Sequence, residues 1–316
     1  MNNDRIQEIL DLMEEARLDY FLISDPQSIA YCTGYYNDPH ERMFVFMISK
    51  HGNHTLFMND LFYLDHDLDV NIVWHKDGQD AIQTIVDEMH FPGRIGIDKN
   101  WASHFLLDLM KKLPDAKYIN ASPCVDLVRM KKDLQEQVLM IESSKINDAV
   151  MEEIIPFIQE GVTEKQLAKK LDELFFNHHS TCYGAIVAFG KNAADPHHEN
   201  DDTLLRKGDC VLIDMGCVYK GYCSDMTRTF FYEGILEEEI KVYEIVKKAN
   251  EAAEAMIKPG VKLSDIDKCA RKVISDEGYG KYFTHRLGHF IGRDVHEYGD
   301  VSSVNEMEVE EGMIFS

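Results

Sequence analysis

The seven cysteines of this 316-residue chain include no C-x-x-C pair. Cys32, Cys124, Cys182, Cys210, Cys217, Cys223 and Cys269 are odd in number and scattered, which argues against a disulfide framework and against a thiolate zinc site. They read as reduced, mostly buried small hydrophobes of a cytoplasmic protein. Apolar runs of membrane-spanning length are also missing, so no membrane association is expected. Met1–Leu18 lacks a signal-peptide pattern: charges recur along it, and Ile6, Ile9, Leu10 and Met13 fall at helical spacing. Positive charge is scarce as well. Lys and Arg number 33 against 56 Asp and Glu, for a formal charge of −23. A field of that sign repels phosphate backbones, so nucleic acid is not an expected partner; it leaves room for a cationic protein or a metal cation, with solubility the main use of the charge.

What is present is the composition of a soluble globular protein long enough for two domains, 45% apolar and 28% charged. In the first part, Tyr20–Ile23, Met43–Ser49, His54–Met58, Asn71–His75, Arg94–Asp98 and Tyr118–Asn120 read as strands. Asp4–Ala16, Gln79–His90 and Trp101–Lys112 read as helices between them, giving an α/β domain with a mixed sheet. A single helical segment is expected from about Val125 to Ile158, with Leu134, Val138, Ile141, Lys145, Ile146 and Ala149 on its mostly apolar face. The domain boundary is placed at Ser122-Pro123, giving domains 1–122 and 123–316.

The second domain contains a weak internal repeat. Pro156 through Gly161-Val-Thr matches Met256 through Gly260-Val-Lys, an offset of 99. Arg206-Lys-Gly208 and the apolar run ending at Asp214 match Glu310-Glu-Gly312 and the run ending at Ser316, an offset of 104. Two similar halves around a pseudo-twofold axis follow, with a site that draws ligands from both.

Asp214 ends a buried-strand pattern, and Asp225 lies on the next β-like run. If Lys220-Gly221 is a two-residue hairpin loop, Asp214 faces Thr227 and Asp225 faces Gly216. The two carboxylates are then diagonal neighbours on one face, about 7 Å apart at the backbone. Two such charges repel unless a cation or proton intervenes, so a metal site is favoured over ordinary turn-proximal acids. Gly216 is expected to leave room for the ion. His197 and His296 are 99 residues apart, in register with the repeat, and His285 and His289 lie near the latter. Gly288 and Gly292 are expected to let the backbone around His289 approach a ligand closely. His178, His179 and His198 lack such support and read as solvent-exposed.

Five runs carry a resemblance. They are Ala30-Tyr-Cys-Thr-Gly-Tyr35, Gly190-Lys-Asn-Ala-Ala-Asp-Pro-His197, Ile213-Asp-Met-Gly216, Ser224-Asp-Met-Thr-Arg-Thr-Phe230 and the segment His285 to Glu297. Together they resemble the Xaa-Pro dipeptidases and aminopeptidases P across essentially the whole chain. The resemblance implies an α+β fold, with a pita-bread catalytic domain behind a creatinase-like (ribonuclease H-like) α/β domain, and a homodimer. It implies two divalent ions, Mn²⁺, Co²⁺ or Zn²⁺, with Asp214, Asp225 and His289 as three of five protein ligands. Oxygen-rich ligation favours Mn²⁺. It makes His197, His285 and His296 catalytic, bonding the substrate and the tetrahedral intermediate, and the small peptide substrate is cleaved before proline. Arg293, where many relatives carry an aliphatic residue, is expected to hold the carboxylate of an Xaa-Pro dipeptide, or to pair with acids of the loop 37–41.

The pattern is incomplete in one respect. The family's fourth and fifth ligands, both glutamates, the fourth also serving as general base, fall beyond Ser316 by both the resemblance and the repeat. The expectation is therefore of a fragment or truncated enzyme, with one metal ion or none and very low activity. An Xaa-Pro aminopeptidase is the near alternative, and a non-enzymatic peptide-binding relative the distant one. Retention of Asp214, Asp225 and His289 argues against metal-free creatinase chemistry, and the N-terminal domain against a methionine aminopeptidase.

Overall fold

The computed structural model describes residues 1–90 and 92–316, in two compact units, Met1–Arg129 and Met130–Ser316. The first unit runs α1 (Asn3–Glu15), β1 (Tyr20–Ile23), α2 (Pro26–Thr33), β2 (Val45–Ser49), β3 (Thr55–Asn59), β4 (Asn71–His75), α3 (Ala81–Glu88), β5 (Arg94–Ile97), α4 (Ser103–Lys112), β6 (Lys117–Asn120) and α5 (Ser122–Met130). The boundary expected at Ser122-Pro123 falls in the first turn of α5, ahead of the division between the units after Arg129. The strands form one mixed sheet in the order β4-β3-β2-β1-β5-β6. On β1, Phe21 and Ile23 pack with Ile6, Ile9 and Ile29 of α1 and α2, whereas Tyr20 and Leu22 pack with Ile82, Ile85 and Leu109 of α3 and α4. Both faces are covered, which is why the central strands read as continuous apolar runs. Helix α2 was not anticipated. Six of its eight residues are buried, so it shows no amphipathic period, although Asp25 caps it, Pro26 opens it and Gly34 closes it at φ +81°.

The second unit runs α6 (Leu134–Ile154), α7 (Glu164–Asn177), β7 (Thr181–Cys182), β8 (Ile186–Phe189), β9 (Cys210–Met215), β10 (Cys217–Tyr219), β11 (Tyr222–Cys223), β12 (Met226–Phe231), α8 (Glu237–Glu254), α9 (Leu263–Asp276), β13 (Gly288–His289) and β14 (Asp300–Val301). The single helix expected over 125–158 is broken at 131–133. Asp133 caps α6 there, accepting from the Gln135 and Glu136 N–H groups, while the Glu136 carboxylate accepts the Asp133 N–H.

The expected face of α6 is also corrected. Leu134, Val138 and Ile141 are exposed, and the buried side carries Glu136, Met140, Ser143, Asn147, Val150, Met151 and Ile154. Polar side chains lie inward because they bond the strands beneath. Tyr222 Oη donates to Glu136 at 2.8 Å, Ser143 Oγ to the Cys217 carbonyl at 3.4 Å and Asn147 Nδ2 to the Met215 carbonyl at 3.3 Å. Among the described residues no helix is long and apolar enough to cross a membrane.

The duplication is visible in the backbone. The Gly161 N–H bonds the Leu205 carbonyl and the Leu205 N–H bonds that of Val162. Gly260, Val309 and Val261 repeat the same pair of bonds. All four turn glycines, Gly161, Gly208, Gly260 and Gly312, have φ between +82° and +90°, a region costly for any residue with a Cβ.

Candidate metal centre

The hairpin that carries the two aspartates has the expected register. Tyr219 faces Tyr222 across Lys220-Gly221, and Asp214 faces Thr227. Lys220 and Gly221 sit at φ +48° and +82°, the pattern of a type I′ turn, whose twist matches that of paired strands. Asp214 and Asp225 both line a cavity of about 640 Å³ together with His285, His289 and Ser316. His289 is brought there by β13 and by its two backbone bonds with Ser316.

Asp225 Oδ2 lies 3.2 Å from His289 Nε2. The His289 Nδ1 is 3.2 Å from the Phe290 carbonyl, which can only accept, so Nδ1 carries a proton. In the neutral ring Nε2 then presents a lone pair to a carboxylate oxygen, a repulsive contact unless a proton or cation joins the two. Asp214 shows the same need. Burial first, then the Asp225 charge, raises its pKa, against the opposing effects of a Thr227 hydrogen bond and His289. Two half-buried carboxylates and an imidazole nitrogen therefore make a donor set that a divalent cation fits.

The other histidines divide. The His296 ring lies 4.2 Å, centroid to centroid, from that of His289, and burial, then His289 and Arg286, lower its pKa. His285 borders the cavity, its Nδ1 2.7 Å from the Arg286 carbonyl. The fork of Arg271, bonded twice to the fully buried Asp267, holds the carbonyls of Phe283 and His285, and Asp267 accepts the Leu287 N–H. His197 is exposed on a turn where its N–H bonds Asp195 Oδ1, and it is not among the described residues that line the cavity. Arg293 does not line it either. Its guanidinium lies 5.4 Å from the Tyr222 ring and packs against Gly221.

Three expectations are corrected here. Gly216 leaves no room for an ion: a Cβ there would sit 1.8 Å from Tyr183 Oη and 2.1 Å from the Ser224 carbonyl. Gly288 and Gly292 admit protein rather than ligand, namely the Ser316 carbonyl and the Glu297 carboxylate. His198 is not solvent-exposed. Its Nε2 lies 2.6 Å from Glu164, a fully buried carboxylate that also accepts from the Phe189 N–H, Asn192 Nδ2 and the Asp201 N–H. Glu164, His198 and Asp201 have the composition of a metal-binding cluster. The four donors already on Glu164 instead make it the clasp of the 189–201 loop.

Tyr183 went unnoticed in the sequence. Its Oη donates to the Ser224 carbonyl at 2.7 Å, and burial followed by the Asp225 charge pushes its pKa up. Nothing local signals this, because the groups it meets are some forty residues downstream. Gly216→Ala is accordingly expected to cost about 1–3 kcal/mol or more, as overpacking against a backbone carbonyl does. Denaturant unfolding checks this; an unchanged midpoint would show that Tyr183 and Ser224 give way freely.

Comparison with known proteins establishes the family. Residues 138–316 match the profile of metallopeptidase family M24, and residues 5–131 match the creatinase/prolidase N-terminal domain. An uncharacterized peptidase of Staphylococcus aureus is 32% identical over 99% of this chain and 90% of its own length. Among solved structures, a dipeptidase from Pyrococcus horikoshii is 34% identical, with TM-score 0.91 over 98% of this chain and 88% of that one. A prolidase from Thermococcus sibiricus is 30% identical, with TM-score 0.94 over 100% and 88%. The chain belongs to metallopeptidase family M24, with an α+β pita-bread catalytic domain behind a creatinase-type N-terminal domain, and it is a peptidase.

Proposed function

We propose that the protein hydrolyses the peptide bond before proline in Xaa-Pro substrates, with dipeptides favoured, using divalent metal held by Asp214, Asp225 and His289. The convergence of those three donors on one cavity carries the reading. A bound divalent ion would supply a water of lowered pKa and would polarise the scissile carbonyl. The chain's own groups do the rest. The aspartates hold positive charge in the cavity, and His289 presents Nε2 because its Nδ1 proton is committed to Phe290. His285 and His296 are the proposed N–H donors to the oxyanion, with His197 as a third from its exposed turn. The downward shift of the His296 pKa favours its neutral form, which donates without adding charge beside the cation site. Ile257, Ile266, Leu287 and Val301 give the cavity an apolar wall suited to the proline ring.

Arg293 is the proposed clamp for the free carboxylate of a dipeptide, a role that requires it to leave the Tyr222 ring. The test is proline release from Xaa-Pro dipeptides, Xaa-Pro-Yaa tripeptides and Xaa-Ala controls after loading with Mn²⁺ or Zn²⁺. Turnover is expected to depend on metal, to be selective for proline and to be lost in His289→Ala. Equal cleavage of Xaa-Ala would refute the proline reading. A tripeptide preference, or unchanged dipeptide kinetics in Arg293→Leu, would move the assignment to an Xaa-Pro aminopeptidase.

A further inference from the structure

Cys182 on β7 and Cys217 on β10 are direct partners across an antiparallel ladder. Directly opposed residues in such a ladder have Cα atoms about 4.5 or 5.5 Å apart, and both spacings lie within the roughly 4.4–6.8 Å that a disulfide spans. Side chains of directly opposed residues leave the sheet on the same face, and both cysteines pack into the same apolar cluster. Both are free thiols in this structure. The other cysteines do not compete for Cys217. Cys223, the nearest in sequence, faces Val218, while Cys217 is matched by Ser224, so Cys223 projects from the opposite face of the hairpin. Exposure differs within the pair: Cys217 is fully buried, whereas Cys182 is only partly so.

We propose that Cys182 and Cys217 are a modification site that closes to a disulfide when the protein meets hydrogen peroxide. Cys182, the reachable member, attacks the peroxide oxygen. The O–O bond breaks, water leaves, and a sulfenic acid remains on Cys182. The Cys217 sulfur then displaces that hydroxyl as a second water. Overall two S–H bonds and one O–O bond break, and one S–S and two O–H bonds form. The two electrons lost by the thiols reduce the peroxide. The reaction is slow. Burial pushes the Cys182 thiol up to about 11, and the Asp172 carboxylate of α7 and Cys217 itself act in the same direction against a hydrogen bond at Gly184. The bond ties β7 to β10 beside Tyr183 and Gly216, whatever peptide the cavity accepts.

The test is mass spectrometry of the native protein after hours in millimolar hydrogen peroxide. The expected result is loss of two hydrogens per chain, one cross-linked peptide pair containing Cys182 and Cys217, and full reversal by a thiol reductant. Cys182→Ser removes the cross-link and leaves Cys217 reduced. Sulfinic or sulfonic acid on Cys182 with Cys217 free overturns the proposal, as does linkage of Cys217 to another cysteine. So does an unreactive pair under conditions that oxidise the same cysteines in the unfolded chain.

Discussion

In metal-free protein at neutral pH, Asp214→Asn raises the melting temperature, and it lowers the affinity for Mn²⁺ or Zn²⁺ at least about tenfold. The first effect follows from the raised pKa of Asp214, whose causes are burial and the charge of Asp225. The sign is that of a carboxyl group raised in the folded state. Its favourable contribution is complete below the ordinary value of 3.8 and is lost as pH climbs through the raised one. Asparagine keeps the oxygen that accepts from Thr227 but never ionises. The variant's advantage is therefore absent in acid and grows to a plateau above the raised value, where about 2 °C or more is expected. Metal reverses the order, because the cation stabilises only the chain that still holds it. Titration calorimetry of the unsubstituted protein and of Asp214→Asn with each ion measures the loss of affinity, and equal affinities would remove Asp214 from the donor set. A lower melting temperature for Asp214→Asn without metal would show that the two carboxylates do not strain the fold.

Breaking the Lys132–Glu297 pair should cost about 3–5 kcal/mol for either partner alone. Lys132 Nζ lies 2.9 Å from Glu297 Oε2, with side-chain exposures of 1% and 5%. The other carboxylate oxygen accepts the Arg293 N–H at 2.9 Å, and a Cβ at Gly292 would come within 2.7 Å of both oxygens. Glu297 thus closes the loop that leads from His289 to His296, and Lys132 balances its charge. Lys132→Met removes the ammonium that balances the Glu297 charge, and Glu297→Gln removes the carboxylate charge that balances Lys132. Lys132→Met with Glu297→Gln removes both charges and keeps an acceptor for Arg293, so it should cost clearly less than the two single changes added. Urea unfolding of the three variants measures this. Single variants within about 1 kcal/mol of the parent, or strict additivity, would mean that water reaches the pair.

Much of the centre was legible because its determinants are local. Lys220-Gly221 is a two-residue turn, and a two-residue turn sets the register of everything on both strands, so the pairing of Asp214 with Thr227 followed from counting. The repeat was legible because each half needs glycine at the same backbone conformation. Helix α6 was misread for the opposite reason. Its inward side holds Glu136, Ser143 and Asn147, whose polarity is satisfied by Tyr222 and by strand carbonyls at least 68 residues away in sequence. A hydrophobic period cannot reveal such a face. His198 was set aside for lack of a local partner, and its partner Glu164 lies 34 residues upstream.

The sequence alone determined the two-part organisation, the mixed sheet, the hairpin and its register, and the family, since each rests on residue order within short runs or on a spacing repeated along the chain. Only the tertiary structure decided what occupies the space around those residues. It filled Gly216 with the Tyr183 phenol and Gly288 with a backbone carbonyl, laid Arg293 on Tyr222, and set Cys182 opposite Cys217. A turn is specified by its own dihedrals. A cavity is specified by atoms from many elements that meet only when the chain has packed.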